Sequence, residues 1–347
     1  MRKIRLAVLF GGISGEHEVS CRSAASILKN LSPRYEVTSI GVTKRGRWFL
    51  QPAWTGAALT VETNPDREVS IRPGAGLVVG ATPLEIDVVF PILHGVGGED
   101  GTLQGLLQSA GLPYAGAGVL ASALGMDKVF AKRLWDHLGL PVVPSVTLWA
   151  PEAASAADRR AAYDRCVKSL GSPLFIKPSN SGSSVGVAKV ASFEAFGPAL
   201  DLAAAVDPKV LVETAIDARE IEVAVLGGSD PQAYGPGEVV PHHEFYDYEA
   251  KYTDPDGAAL VIPARLDPPV TKKVLELAVQ AYKALDTRGF ARVDFFVDKK
   301  TGQVWLNEIN TLPGFTTISM FPRMAVSGGL SYSAVLDTII DQALGQS

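Results

Sequence analysis

The chain has 347 residues, a formal net charge of -5 and 47% hydrophobic residues. This length predicts two or three domains, each with a core of its own. The mildly acidic balance provides no basic field for nucleic acid, so a nucleic-acid partner is not expected. No apolar run approaches a membrane span, and the apolar stretch at 4–10 is too short for the core of a signal peptide. The composition therefore predicts a cytoplasmic globular protein.

The cysteine content excludes a disulfide framework. Only Cys21 and Cys166 are present, and neither has metal-ligand spacing with another cysteine or a histidine. We expect both to be buried thiols in a reducing compartment.

The N-terminal part of the chain has the pattern of a βαβ unit. An apolar strand at 4–10 and a Gly11-Gly12 turn precede a helical pattern at 16–31 and a second strand at 37–42. A further strand at 86–93 ends in a glycine-rich segment, and a helix is predicted at 102–110. We predict an open parallel α/β sheet in a first domain, 1–120, with its ligand site at the carboxyl ends of the strands.

The remainder has a different pattern, in which strands of antiparallel character alternate with helices. We predict a central domain at 121–212 and a C-terminal domain at 213–347. Predicted helices lie at 126–138, 153–170, 193–205, 269–285 and 332–344, and predicted strands at 173–177, 185–190, 210–213 and 220–225. The polar, aromatic segment at about 242–262 is too long for a simple connection and predicts a lid.

A predicted hairpin near the C-terminus carries the most informative polar residues. Its first strand holds Arg292 and Asp294, and its second holds Glu308 and Asn310, with a turn at 298–302. Period two places each pair on one face of its strand. Two carboxylates and a carboxamide suit Mg²⁺ that also binds substrate phosphates, and an arginine beside them can stabilise developing negative charge. A solvated surface hairpin is disfavoured because apolar residues flank each polar one.

The segment 177–186 is a Gly/Ser-rich loop that follows Lys177. It is not a Walker A loop, because the lysine precedes the glycines and a strand follows them. Such a loop between strands favours a flap whose backbone N–H groups cover nucleotide phosphates. An ordinary turn would need fewer glycines and serines.

Three other polar features are less specific. The glycines at 11–15 do not have dinucleotide-binding spacing, and no acidic residue ends the second strand, which disfavours a nicotinamide dehydrogenase. Glu16 could cap the following helix or hold a substrate ammonium group. His94 could be a loop residue or a substrate contact, whereas His242 and His243 are expected to be structural because adjacent side chains on a strand diverge.

Seven motifs in order along the chain resemble those of the D-alanine:D-alanine ligase family: GGISGEHEVS at 11–20, HGVGGEDG at 94–101, MDK at 126–128, KPSNSGSSVG at 177–186, FYDYEAKY at 245–252, ARVD at 291–294 and NEINTLPGFTTIS at 307–319. The resemblance implies a three-domain ATP-grasp fold of α/β and α+β character. It implies that ATP phosphorylates the carboxylate of one D-alanine and that the amine of a second attacks the acyl phosphate, giving a dipeptide for peptidoglycan synthesis.

The resemblance also implies roles for individual residues. Glu16, Ser183 and Tyr252 form a hydrogen-bonded triad that orients the first D-alanine, and Arg292 and the Gly314 N–H form an oxyanion hole. Substrate contacts are His94, Lys251 and Ser319. ATP is bound by Lys128, Lys177, Ser184, Glu213, Ile216, Glu220 and Asn307. Asp294, Glu308 and Asn310 bind two Mg²⁺ ions; Mn²⁺ as a substitute and K⁺ as an activator are left open. A homodimer is implied as well.

Tyr252 bears on the second substrate, because relatives that make D-alanyl-D-lactate lack or replace the lid tyrosine. Its presence beside Lys251 predicts an amine acceptor. Thr214-Ala215 departs from the basic and aromatic pair of many members, which leaves the adenine contacts open. The alternatives are an ATP-grasp ligase for another carboxylate, such as an L-amino-acid ligase, and a non-catalytic nucleotide-binding regulator. The Glu16 and Tyr252 motifs disfavour the first, and the complete set of hairpin residues disfavours the second.

Overall fold

The computed structural model describes residues 2–241 and 258–345, which form three β-sheets with helices packed on them. The mixed α/β and α+β fold class is thereby confirmed. The strands are β1 Ile4–Gly11, β2 Tyr35–Val42, β3 Trp48–Leu50, β4 Glu68–Arg72, β5 Gly76–Val79, β6 Thr82–Pro83, β7 Val88–Pro91, β8 Ser145–Trp149, β9 Leu174–Pro178, β10 Ala188–Val190, β11 Lys209–Thr214, β12 Ala218–Leu226, β13 Gln232–Pro241, β14 Ala258–Val261, β15 Phe290–Asp298 and β16 Val304–Asn310. The helices are α1 His17–Asn30, α2 Thr102–Ser109, α3 Val119–Met126, α4 Lys128–His137, α5 Ala156–Leu170, α6 Phe193–Ala204, α7 Pro268–Ala284, α8 Met320–Ser327 and α9 Tyr332–Ala343.

The first sheet has seven strands in the order β6-β5-β4-β3-β2-β1-β7. β1 pairs in parallel with β2 and β7, as a βαβ unit requires, and its apolar run is buried because neighbours cover it on both faces. The other four strands add antiparallel pairs to this core. They were not predicted, because they are only two to five residues long and lack sustained alternation.

The second sheet has the antiparallel order β10-β9-β11-β8, and α5 and α6 pack on it. The helix predicted at 153–170 begins later, at Ala156, because Ser155 caps it: the Ser155 hydroxyl accepts from Asp158 N, and the Asp158 carboxylate accepts from Ser155 N.

The third sheet has the antiparallel order β14-β13-β12-β15-β16. Its β15–β16 hairpin has the predicted turn, with Asp298 accepting hydrogen bonds from Lys300 N and Thr301 N. β13 and α8 were not predicted. β14 occupies 258–261, so the end of the segment predicted as a lid is a sheet edge, whereas its remainder, 242–257, lies outside the described residues.

The helix predicted at 126–138 begins later, at Lys128, and α3, which precedes it, was not predicted. Asp127 ends α3 in extended backbone and caps α4, its carboxylate accepting from Phe130 N at 3.1 Å. The break places Lys128 at the first position of α4, where its side chain faces the central sheet.

The first and third sheets share one aromatic core. The ring of Phe315 lies edge-on to Phe90 of β7 at 5.9 Å and to Phe290 of β15 at 5.3 Å, and all three side chains are fully buried. Phe315 follows β16, so this packing holds the loop at 311–319 against the first sheet. In the described ranges, no helix is long and apolar enough to cross a membrane. The predicted domain boundaries stay predictions.

Candidate active site

A cavity of about 1680 Å³ is lined by residues from all three sheet-bearing segments. It gathers every predicted site residue within the described ranges: Glu16, His94, Lys128, Lys177, Ser183, Ser184, Glu213, Ile216, Glu220, Arg292, Asp294, Asn307, Glu308, Asn310, Gly314 and Ser319. Lys251 and Tyr252 lie outside the described residues. Positions separated by up to about three hundred residues in the chain thus face one space.

One polar cluster, the arginine cluster, consists of Arg292 and Asp294 on β15 and Glu222 on β12; β16 lies beside it. Arg292 donates two hydrogen bonds of 2.7 Å to the Asp294 carboxylate, and its Nε lies 3.1 Å from Glu222 Oε2 on β12. Burial works against the charge, but Asp294 and Glu222 raise the pKa of Arg292 well above its usual value. Among the described residues, one cation therefore contacts two carboxylates.

The strand register continues this cluster toward the cavity. Asp294 is the cross-strand partner of Glu308, and Arg292 is the partner of Asn310. The Glu308 carboxylate also lies 3.3 Å from Lys128 Nζ. In the described part of the chain, no three His, Cys, Asp or Glu side chains are arranged to hold a metal ion. The oxygen set is instead two carboxylates and an amide, which suits Mg²⁺ that keeps waters and phosphate ligands.

A second cluster, the lysine cluster, consists of Lys132, Glu213 and Lys177. Glu213 is only 2% exposed; its Oε1 lies 2.7 Å from Lys132 Nζ, and its Oε2 is ion-paired with Lys177. Burial would raise the pKa of Glu213, but the two ammonium groups lower it below its usual range. Lys177 also donates to Asn307 Oδ1 at 3.3 Å. Here one carboxylate serves two cations.

A network of hydrogen bonds and an ion pair connects the first turn of α4, which carries Lys128, to the base of the Gly/Ser-rich loop. Asp127 accepts a 2.6 Å hydrogen bond from Ser179 Oγ and is ion-paired with Lys209 at the start of β11. Lys128 donates through its backbone N to Ser179 O and through Nζ to Ser181 O. The first turn of α4 and the loop are therefore positioned together.

The Gly/Ser-rich loop reaches the first sheet through Ser183. Ser183 Oγ donates a 2.8 Å hydrogen bond to Glu16 Oε1, which joins residues 167 positions apart. Ser183 and Ser184 both have positive φ, 53° and 59°, a conformation that is held against local preference and is common at functional sites. The Glu16 side chain makes no capping hydrogen bond to α1, so the capping interpretation of Glu16 is wrong. Its carboxylate faces the cavity instead.

His94 connects the first sheet to the loop after β16. Its Nδ1 donates to Leu312 O at 3.0 Å, and its Nε2 lies 3.1 Å from Ser23 Oγ, which accepts from Phe315 N. Burial lowers the pKa of His94, but the Glu99 carboxylate, 3.5 Å from Nδ1, raises it above the usual value. Both ring nitrogens are thus engaged within the protein, and His94 positions the loop that carries Gly314.

Gly314 and Ser319 meet across the turn of that loop. A Cβ at Gly314 would lie 2.8 Å from Ser319 Oγ, too close for a side chain to fit without a shift. Ser319 Oγ also accepts from Thr316 N at 3.0 Å. Gly314 itself lines the cavity.

The charged residues at the site that were not predicted include Lys132, Glu222 and Glu99. Glu222 could have been found from the sequence, because it follows Glu220 at strand spacing. In the sheet it lies opposite Asp294. Glu99 lies within the motif at 94–101 without a distinguishing pattern. Lys132 has the weakest signal, since its i+4 spacing from Lys128 is ordinary for a solvated helix face.

Comparisons with known proteins agree over the whole chain. Models of the D-ala D-ala ligase N-terminus and C-terminus match residues 5–117 and 134–341. A D-alanine–D-alanine ligase from Thermoanaerobacter pseudethanolicus is 48% identical over 99% of this chain and 97% of its own length. A D-alanine–D-alanine ligase A from Bradyrhizobium diazoefficiens is 48% identical over 99% of this chain and 95% of its own.

Solved structures give the same result. The D-alanine-D-alanine ligase of Coxiella burnetii superposes with a TM-score of 0.84 at 35% identity, covering 99% of this chain and 96% of that one. The VanG D-Ala:D-Ser ligase of Enterococcus faecalis superposes with a TM-score of 0.83 at 35% identity, covering 98% and 99%. The chain belongs to the D-alanine–D-alanine ligase family and is a ligase enzyme.

Proposed function

We propose that this enzyme joins two D-alanine molecules in an ATP-dependent reaction that passes through D-alanyl phosphate. The dipeptide would enter peptidoglycan synthesis in the cytoplasm. The observation that carries the proposal is the single cavity, in which an ammonium-binding carboxylate, phosphate-binding lysines and hard-oxygen metal ligands face one another. Phosphorylation of an amino-acid carboxylate by ATP uses all three groups. The protein carboxylate binds the ammonium group, and the lysines and the metal ligands with their metal reduce the repulsion between the substrate carboxylate and the phosphates.

Each substrate group has a counterpart on the cavity wall. Glu16, held by Ser183, binds the ammonium of the first D-alanine, which turns its carboxylate toward the nucleotide. Lys128 and Lys177 bind the phosphates of ATP, and Ser184, Ile216 and Glu220 complete the nucleotide pocket with Glu213 and Asn307. In the second half of the reaction the amine bonds to the carbonyl carbon as the bond from that carbon to the phosphate oxygen breaks.

The fixed dipoles and charges stabilise that second step. The Arg292 guanidinium and the Gly314 N–H face the oxygen on which negative charge develops, and Ser319 binds the carboxylate of the acceptor. Asp294, Glu308 and Asn310 would hold two Mg²⁺, which supply charge neutralisation of the transferred phosphate. Lys251 and Tyr252, outside the described residues, would complete the closed site and exclude water from the acyl phosphate. A homodimer is part of the same proposal.

The acceptor is the least constrained part of the proposal, because one solved relative at 35% identity is a D-Ala:D-Ser ligase. The test is ADP release from Mg-ATP with D-alanine alone, and with D-alanine plus D-serine, D-lactate or L-alanine, with the products separated. We expect D-alanyl-D-alanine as the main product. Turnover only with D-serine as the second substrate would change the acceptor, and turnover only with an L-amino acid would refute the donor assignment.

A further inference from the structure

Lys132 is a buried cation beside the nucleotide site that does not reach the cavity. It lies one turn after Lys128 on α4 and is only 3% exposed. Its Nζ contacts Glu213 Oε1 at 2.7 Å and donates to Leu306 O at 3.4 Å. Unlike Lys128 and Lys177, it is not among the described residues that line the cavity. Lys132 therefore makes no direct contact with a ligand in the cavity, and Glu213, which does line the cavity, is the residue that connects it to the wall.

Glu213 couples Lys132 to Lys177. Its two carboxylate oxygens are divided between the two ammonium groups, one to each. The three side chains together carry a net charge of +1, and Lys177, which lines the cavity, is the member through which that surplus can act. If Lys132 were neutral, Lys177 and Glu213 would form a neutral pair, and the surplus would disappear.

Keeping Lys132 charged in its buried position lowers the stability of the folded state. Burial lowers the pKa of Lys132 to about 8 even though Glu213 opposes the shift. A lowered lysine pKa means that the folded environment disfavours the ammonium form relative to water. An apolar side chain of similar length would fill this position without that penalty, but it would leave Glu213 Oε1 buried without its cation, and removing one partner of a buried ion pair destabilises a protein. The reason for a lysine here is therefore its pairing with Glu213, not packing alone.

We propose that Lys132 is a positioning residue for the nucleotide: by occupying one oxygen of Glu213, it leaves Lys177 with uncompensated positive charge directed at the polyphosphate. The inference rests on the proposed use of ATP and deepens it. Lys132 should affect the binding of the phosphates and not the binding of adenine or ribose, because only the phosphates carry charge.

The test compares equilibrium binding of ATP and of adenosine to Lys132→Met and wild-type protein in the absence of D-alanine. We expect ATP to bind about tenfold more weakly, because Glu213 would then pair with Lys177 alone and neutralise its charge in a partly screened site. Adenosine should bind equally well, and circular dichroism should show a folded variant even though loss of the cation beside Glu213 lowers the thermal unfolding temperature. An equal loss for both ligands, or no loss for ATP, would overturn the proposal.

Two further variants separate the electrostatic role from a structural one. Lys132→Gln keeps a hydrogen-bond donor beside Glu213 without the charge, and it should lose ATP selectively as well; wild-type affinity in this variant would refute the charge argument. It also serves if Lys132→Met fails to fold. Lys168→Met, at an exposed position on α5, is the control for removing a lysine charge and should bind both ligands normally.

A double-mutant cycle tests whether the effect passes through Glu213. In a Glu213→Gln background, Lys132→Met should change ATP binding at most slightly, because no carboxylate remains to be shared. The full tenfold effect in that background would show that Lys132 acts by another route. Wild-type protein that binds ATP but forms no D-alanyl-D-alanine would refute the proposed reaction and leave the Lys132 inference standing.

Discussion

The arginine cluster and the lysine cluster each contain three charged residues, but their ratios of cations to carboxylates are reversed. In the arginine cluster, Arg292 lies between the carboxylates of Asp294 and Glu222. In the lysine cluster, Glu213 lies between the ammonium groups of Lys132 and Lys177. Each set has one shared central group, and counted over these three side chains alone the first carries a charge of -1 and the second a charge of +1.

Under the proposed function, this difference would let one cavity bind both a cation and a polyanion. A surplus negative charge suits a divalent metal, and a surplus positive charge suits phosphate. The Lys128–Glu308 ion pair is balanced and connects α4 to β16.

The largest effect is expected from removing negative charge at the metal side. Glu308→Gln should reduce turnover by about a thousandfold, because a metal ligand that neutralises the transferred phosphate is lost. Steady-state ADP release with D-alanine measures this, and circular dichroism checks the fold. Glu276→Gln, at an exposed position on α7, is the matched control. Turnover within a few-fold of wild type would remove Glu308 from the metal site.

Arg292→Lys tests the central group of the arginine cluster. It keeps the charge but loses the paired hydrogen bonds to Asp294 and the planar donors. We expect kcat to fall about a hundredfold, with a smaller change in KM, because the interaction matters most where charge develops. Separate measurement of kcat and KM for D-alanine gives the answer. A change confined to KM would place Arg292 in ground-state binding.

Ser183→Ala changes neither cluster and tests the link from the loop to the first sheet. Loss of the 2.8 Å hydrogen bond to Glu16 should raise KM for the first D-alanine about tenfold. KM for ATP should change less, which distinguishes this variant from changes at Lys132. Equal increases in both KM values would indicate that Ser183 shapes the whole loop.

The smallest effect is expected at a partly exposed set of two arginines and two carboxylates outside the cavity lining, Arg2, Arg5, Glu85 and Asp87. Asp87 accepts hydrogen bonds from Arg2 and Arg5, and chiefly the Arg5 hydrogen bond lowers the pKa of Asp87. Asp87→Asn should reduce the free energy of unfolding by about 1 kcal/mol at pH 7 and leave ATP binding unchanged.

The pH dependence of Asp87→Asn follows from the direction of that shift. A carboxyl with a lowered folded pKa stabilises the protein above its unfolded value of about 3.9, and this contribution is lost as the pH falls further. The stability difference between the variant and wild type should therefore shrink below about pH 4. Urea unfolding at pH 7 and at pH 3.5 measures it, and a constant difference would contradict the ion-pair origin.

The arginine cluster could largely be predicted because a strand has a simple period. Arg292 and Asp294, and Glu308 and Asn310, alternate with apolar residues on two strands that a short turn joins, so their cross-strand register follows. Glu222 needed a third strand whose register no local pattern specifies. The family resemblance added the assignments at Glu16, Ser183 and Gly314, which their local sequence alone left open.

The lysine cluster could not be predicted because its members come from separate segments. Lys132, Lys177 and Glu213 lie on α4, β9 and β11, and only tertiary packing brings them together. On a helix, a lysine four residues after another is ordinary, and nothing local indicates burial. The short strands β3–β6 were missed for a related reason: antiparallel pairing with neighbours, rather than their own pattern, keeps them in the sheet.

The central claim, phosphorylation of a D-alanine carboxylate, is tested most directly with D-alanine labelled with ¹⁸O in both carboxylate oxygens. If the carboxylate attacks the terminal phosphate of ATP, one labelled oxygen bridges carbon and phosphorus. It then leaves with inorganic phosphate when the second amine attacks. We predict one ¹⁸O in the phosphate for each D-alanyl-D-alanine formed, measured by mass spectrometry. Unlabelled phosphate formed alongside the dipeptide would contradict the acyl-phosphate route.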